Sequence, residues 1–263
     1  NINIMKMKSI EQQEKEIEKD FWNKQSENKK FIAFEKKVYS AFRVQEYIDV
    51  FNRATIDHSL NKNSRILDIG CSAGVSSIVL SKLGFKTTGI DISTGLIDQA
   101  KTLAIEEKSD TSFLVEDASS LSFDDNSFDV CFMVGLLHHF PNYQPVINEI
   151  RRVLKKDGMM IAVEPNLLNW TYLKSFKLVH KKKGVTPNEF PLNPIELANN
   201  LETHFSKITI LPFRELDVPF LRQIGWLGKK WIGIIVKKII LIHRKLFVSG
   251  IKKGTFFIMC CTK

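Results

Sequence analysis

Residues 65–74 read RILDIGCSAG, and this stretch decides the fold. Ile66, Leu67 and Ile69 give an apolar strand interrupted only by Asp68 near its end. Gly70 and Gly74 then frame a tight loop, and residues 75–83 (VSSIVLSKL) have the composition of a helix. Outward from this unit the pattern repeats. Short apolar runs at 85–91 (FKTTGID), 112–117 (SFLVED), 128–134 (FDVCFMV) and 159–165 (MMIAVEP) read as strands buried on both faces. Helical patterns at about 94–105 and about 144–154 lie between them. Strands alternating with helices predict an α/β domain, a parallel sheet covered on both sides. Two further strands are expected at 205–213 and 254–263.

The loop between the glycines constrains the ligand. Glycine lets a ligand approach the backbone, and the helix that follows offers unpaired N–H groups. Asp91 closes the second strand 23 residues after Asp68, where a carboxylate can accept hydrogen bonds from both hydroxyls of a ribose. The loop is Gly-Cys-Ser-Ala-Gly, not the Gly-x-Gly-x-x-Gly of a pyrophosphate site, and it lacks the Gly-Lys-Ser/Thr of a nucleoside triphosphate site. A ligand carrying a ribose but no phosphate fits this pattern best.

With these motifs in order, the run from RILDIGCSAG through GID (89–91), EDASSLSFDDNSFDVCFMVGLLHHF (116–140) and EIRRVLKKDGMMIAVEPN (149–166) resembles the class I S-adenosylmethionine (SAM)-dependent methyltransferases. The similarity is to their small-molecule branch and covers about residues 62–166. It implies a Rossmann-like seven-stranded, mostly parallel sheet with an antiparallel last strand. It also implies SAM as cofactor and S-adenosylhomocysteine as product, lying across the ends of the first and fourth strands. Carried over residue by residue, Gly70, Cys71, Ser72 and Gly74 would line the methionine portion. Asp68 would position that loop or the ligand's ammonium, Asp91 would bind the ribose, and Ile92 would pack on the adenine. Asp117 and Ala118 would meet the adenine amino group and ring, and Met133 would contact the ligand through its backbone. Cys71-Ser72 and Asp157-Gly158-Met159 depart from the family's usual residues, in a loop and a turn respectively.

His138 and His139 follow the fourth strand. No His-x-x-His, His-Glu-x-x-His or nearby carboxylate pair accompanies them, which argues against a metal. Adjacent side chains leaving a strand diverge, so His138 is expected to face the cleft as a candidate general base, with His139 packed beneath it. Glu164, ending the fifth strand, either reaches the substrate or organises a loop.

Composition sets the remaining bounds. The chain has 263 residues, 44% hydrophobic and 25% charged, which is ordinary for a soluble globular protein. Its four cysteines form no CxxC pair, and there is no apolar leader core, so a cytoplasmic location is the default. Residues 213–263 hold eleven Lys and Arg against Glu215 and Asp217, which accounts for the whole net charge of +9. Within them, cationic residues at 222, 229/230, 237/238 and 244/245 recur every two helical turns on an otherwise apolar segment. The lysine pairs interrupt it too often for a membrane span. A helical cover or dimer contact, a peripheral membrane contact through 220–248, and contact with nucleic acid are the three readings. The sequence therefore divides into an N-terminal helical lid (1–61), a SAM-binding core (62–212 and 254–263) and a basic apolar insertion (213–253). The lid carries Phe21, Trp22, Phe31, Phe34 and Tyr39. The function expected is methyl transfer to oxygen or nitrogen of a small or medium-sized metabolite, such as a sugar, glycolipid or other amphipathic acceptor, by a monomer or homodimer. MVGL, where an Asn/Asp-Pro-Pro-aromatic motif would stand, disfavours nucleic acid. An RNA methyltransferase and a non-catalytic SAM-binding partner are the alternatives.

Overall fold

The computed structural model describes residues 2–28, 41–169, 173, 186, 189–213, 251 and 254–263. Phe31, Phe34, Tyr39 and nearly all of the basic insertion lie outside them. In chain order the elements are α1 (Ile2–Glu27), α2 (Ala41–Ala54), β1 (Arg65–Ile69), α3 (Val75–Lys82), β2 (Lys86–Asp91), α4 (Thr94–Glu106) and β3 (Ser112–Val115). Then come β4 (Phe128–Val134), a 3-10 turn (Leu137–His139), α5 (Gln144–Val153), β5 (Leu154–Pro165), α6 (Pro194–Leu201), β6 (Lys207–Phe213) and β7 (Phe256–Thr262).

The seven strands form one sheet in the order β3-β2-β1-β4-β5-β7-β6. The β1–β2, β1–β4, β2–β3 and β4–β5 pairs are parallel, while β7 runs antiparallel to both β5 and β6. This is the architecture expected from the sequence. Alternation along the strands sorts the core into two faces. Cys131, Met133, Met160 and Ala162 point toward α5 and α6, whose Val146, Ile147, Ile150, Leu197 and Leu201 are buried against them. Val130, Phe132, Ile161 and Ile258 point the other way, toward Val50, Phe51 and Ala54 of α2.

Local chemistry fixes the helix starts. Ser93 caps α4 by accepting from the Leu96 N–H at 3.2 Å. Asn193 caps α6 through Ile195 N–H, and Pro194 occupies the first turn, where its missing N–H costs nothing. One strand differs from expectation. β5 begins at Leu154 rather than Met159, because Asp157 adopts a φ of 62° and the chain turns within the strand while Leu154 still pairs with Phe128.

The order β2-β1-β4 places the reversal of strand order between β1 and β4, so a crevice opens at their C-terminal ends. All the loops discussed below leave from that edge.

Candidate active site

At this edge the β1–α3 loop is folded back by its own backbone. Gly70 and Cys71 both donate to the Ile90 carbonyl, at 2.8 and 2.9 Å. Gly70 has a φ of 71°, and a Cβ there would lie 2.8 Å from Leu136 Cδ1. Gly74, at φ 84°, is closed by Phe113 and Ala100, with which any Cβ would collide. Ser72 sits in the left-handed region at φ 49° and donates its N–H to Asp91 Oδ2 at 3.0 Å. Asp91 Oδ1 accepts from Ser93 N–H at 2.9 Å. Burial raises the Asp91 pKa against the pull of these donors.

Asp68 is 1% exposed and accepts from Ser76 Oγ (2.6 Å) and Ser77 Oγ (2.5 Å). Burial pushes its pKa up to about 6, although both hydroxyls favour the charged form. It ties the loop to the first turn of α3.

A cavity of about 230 Å³ lies over the strand ends. Gly70, Asp91, Ile92, Asp117 and Ala118 line it from the sheet, and Leu136 and Phe140 from the exit of β4. Of the other residues singled out in the sequence, Asp68, Cys71, Ser72, Gly74, Met133 and His138 are not on its wall. Part of the remaining wall is α1. Lys15, Glu18 and Trp22 face the cavity, and Lys15 Nζ contacts Asp117 Oδ2 at 2.8 Å. Burial opposes the charge on Asp117, but Lys15 and the Ser119 N–H and hydroxyl outweigh it and hold the carboxyl below its usual range. Further along, α1 is fastened to α4: Ser93 Oγ donates to Asn23 Oδ1 (2.8 Å) and Gln99 Nε2 to the Ser26 carbonyl (2.6 Å).

The two histidines are placed the other way round from the sequence reading. His138 is 7% exposed, and its Nδ1 lies 2.7 Å from Glu164 Oε2. Glu164 is fully buried, and its Oε1 accepts from Leu136 and Leu137 N–H at 3.0 and 2.8 Å. It organises the turn and does not reach the cavity. Burial alone would lower the His138 pKa, yet Glu164 and then Glu189 raise it to about 9. His139 is the imidazole on the cavity wall, edge-on to Trp22 with ring centroids 5.7 Å apart. The 3-10 turn that begins at Leu137 causes the exchange, by rotating the second imidazole outward. Sequence reasoning missed Lys15, Glu18 and Glu189. Nothing in their local pattern points here, since they arrive from a charge-rich helix and a distant loop.

The fold is an open α/β domain with a cavity at its strand-order reversal. Residues 67–162 match the family model of the methyltransferase domain. That match covers a little over a third of the chain. Over 109 residues (41% of this chain, 34% of the relative) it is 37% identical to a 2-methyl-6-phytyl-1,4-hydroquinone methyltransferase of Synechocystis. Over 99 residues (38% and 42%) it is 33% identical to a ubiquinone biosynthesis O-methyltransferase of Coxiella burnetii. The chain thus spans between a third and a half of these relatives' lengths. A SAM-dependent methyltransferase of Thermotoga maritima, described as a possible histamine N-methyltransferase, shares the fold, with a TM-score of 0.59 at 18% identity over 89% of this chain and 96% of that one. A SAM-dependent methyltransferase from Methanosarcina mazei gives 0.54 at 25% identity over 79% and 96%.

The residues present fit the cofactor of this class. The Asp91 carboxylate reaches the cavity with one backbone donor on each oxygen, which leaves acceptor capacity on both. Ile92 and Ala118 provide apolar wall beside it, and Gly70 offers bare backbone.

Proposed function

We propose that this protein binds SAM in the strand-end cavity and transfers the methyl group to an oxygen of a small or medium-sized, amphipathic metabolite. The observation that carries this reading is the position of Asp91. It is a half-buried carboxylate at the tip of β2 that lines the cavity together with Gly70 and Asp117. In this proposal Asp91 accepts from the ribose hydroxyls, Ile92 and Ala118 flank the base, and Asp117 accepts from its amino group. Asp68, Ser72 and Gly74 hold the loop that presents the Gly70 backbone. SAM supplies a methyl group already activated on a sulfonium, so the protein's task is mainly alignment and exclusion of water. Trp22, Leu136 and Phe140 enclose the cavity with apolar surface.

Oxygen is favoured as acceptor by the O-methyltransferase of the ubiquinone pathway among the relatives. An amphipathic acceptor is favoured by that relative, by the phytyl-hydroquinone enzyme, and by the apolar basic sequence at 220–248. We therefore place a hydroxylated ring with an apolar tail ahead of a sugar or glycolipid. Among the described residues no helix is long and apolar enough to cross a membrane, so any contact with a lipid surface is peripheral in this proposal.

Titration calorimetry tests the cofactor assignment. Asp91→Ala is expected to weaken SAM and S-adenosylhomocysteine binding by at least about tenfold, the worth of one to two hydrogen bonds. Equal affinity for variant and parent would overturn the ribose assignment. Methyl-labelled SAM offered with hydroquinones, phenols, glycolipids and RNA in parallel would identify the acceptor class. Label in RNA alone would replace the small-molecule reading.

A further inference from the structure

In the sequence no His-x-x-His or His-Glu-x-x-His spacing and no nearby pair of carboxylates accompany the two histidines. Folding supplies them from elsewhere. The Phe190 N–H donates to the His138 carbonyl at 3.1 Å, which brings Glu189 back against the turn. With His138 Nδ1 taken by Glu164, His138 Nε2 lies 3.8 Å from Glu189 Oε1. The His139 ring is 4.2 Å from the His138 ring, and one ligand atom from each of His138, His139 and Glu189 falls within 4.8 Å of the others. A second observation comes from α1. Glu18 Oε2 lies 3.5 Å from His139 Nδ1, and its Oε1 is buried with no hydrogen-bond partner. Three carboxylates, those of Glu18, Glu164 and Glu189, thus gather around two imidazoles with no Lys or Arg paired to them in the described structure.

We propose that His138, His139 and Glu189 form a binding site for a divalent transition-metal ion, with Glu164 as the carboxylate behind His138 and the open coordination position beside Glu18. Two nitrogen ligands and one oxygen ligand suit zinc, cobalt or ferrous iron rather than calcium or magnesium, which prefer oxygen alone. Three protein ligands with one position open is the arrangement of catalytic rather than structural zinc. Tetrahedral ligand atoms stand roughly 3.4 Å apart. The His138–Glu189 separation of 3.8 Å is already close to this, and the other ligand atoms, all within 4.8 Å of one another, need to draw in by at most about 1.4 Å. A carboxylate behind a ligating histidine fixes its tautomer, as Glu164 does here. Because His139 and Glu18 line the cavity, the open position faces it. An acceptor hydroxyl held there would be oriented and made more acidic by the ion. This last role rests on the methyltransferase reading above, whereas the ion site itself does not.

The test uses the full chain, stripped with a chelator and titrated with Co²⁺ while visible absorption is recorded. One equivalent of Co²⁺ is expected to bind, with ligand-field bands of nitrogen and oxygen coordination, and Zn²⁺ should displace it. Glu189→Gln and His139→Ala lie on different segments, and each should weaken Co²⁺ binding at least tenfold while the chain stays folded by circular dichroism. SAM affinity measured on Glu189→Gln should be unchanged, so loss of the ion site and failure of the cofactor reading give separate signals. Absence of stoichiometric Co²⁺ uptake, uptake unaffected by both substitutions, or a thiolate charge-transfer band placing the ion on cysteine would each overturn the site. In the first case a proton on His138 is what balances the cluster.

Discussion

The two ends of the cavity are built in opposite ways. At the β1–β2 end the hydrogen bonds that shape the glycine loop are local: Asp68 binds Ser76 and Ser77, Ser72 binds Asp91, and Asp91 binds Ser93, all within about 25 residues of sequence. At the β4–β5 end the contacts come from afar. Glu164 reaches back to Leu136, Leu137 and His138, Glu189 arrives from a later loop, and Glu18 from the first helix. In the function proposed above, the cofactor's contacts belong to the local end and those of the acceptor to the assembled end, where one scaffold can be refitted for different substrates by changing loops.

The largest effect expected from breaking this comparison is at Glu164. Glu164→Ala would leave two backbone N–H groups and the His138 ring without their buried partner. Removing one member of a buried pair costs about 3–5 kcal/mol. Urea denaturation should show a loss of that size. A loss below about 1 kcal/mol would mean that the distant end is held by packing instead.

At the local end the matching probe is Asp68→Asn, and its effect depends on pH. The folded-state pKa of Asp68 is raised from 3.8 to about 6 by burial. The folded protein therefore binds this proton more tightly than the unfolded chain, and stability from this group is greatest below about pH 4 and lost as pH rises through 6. The displacement corresponds to roughly 3 kcal/mol at most. Asp68→Asn should thus be more stable than the parent at pH 8, by up to about 2–3 kcal/mol, and the advantage should shrink steadily toward pH 4. An advantage independent of pH would show that the carboxyl is not the source.

The same division explains what was legible. The alternation of strands and helices and the reach of Asp91 into the cavity follow from short-range signals: apolar runs, a glycine loop and a carboxylate at a strand tip, whereas the antiparallel β7 follows only from the family resemblance. Asp68 was read as loop or ligand, and its burial with two serines places it with the loop. Gly74 was read as ligand space, but its neighbours Phe113 and Ala100 are packing partners invisible to a local pattern. The histidine orientations were exchanged because a 3-10 turn, not an extended exit, follows β4. Glu18 and Glu189 carry no periodic or spacing signal that could have linked them to His139.

α1 bridges the two ends, and Lys15 gives the smallest and most discriminating prediction. Its ammonium touches Asp117 Oδ2 at the cofactor end, across 102 residues of sequence, while Glu18 of the same helix turns toward His139. The Lys15 and Asp117 side chains are each about a third exposed (31% and 30%), so the pair contributes little to stability, of order 0–1 kcal/mol. Lys15→Met should barely move the unfolding midpoint. The substitution nevertheless removes the cation that competes for the acceptor we assign to the base's amino group. Cofactor affinity by calorimetry should therefore rise severalfold in Lys15→Met, with α1 otherwise held to α4 through Asn23 and Ser26. A fall in affinity would place Lys15 among the cofactor's own contacts. The first helix would then be part of the local end rather than the bridge between the two.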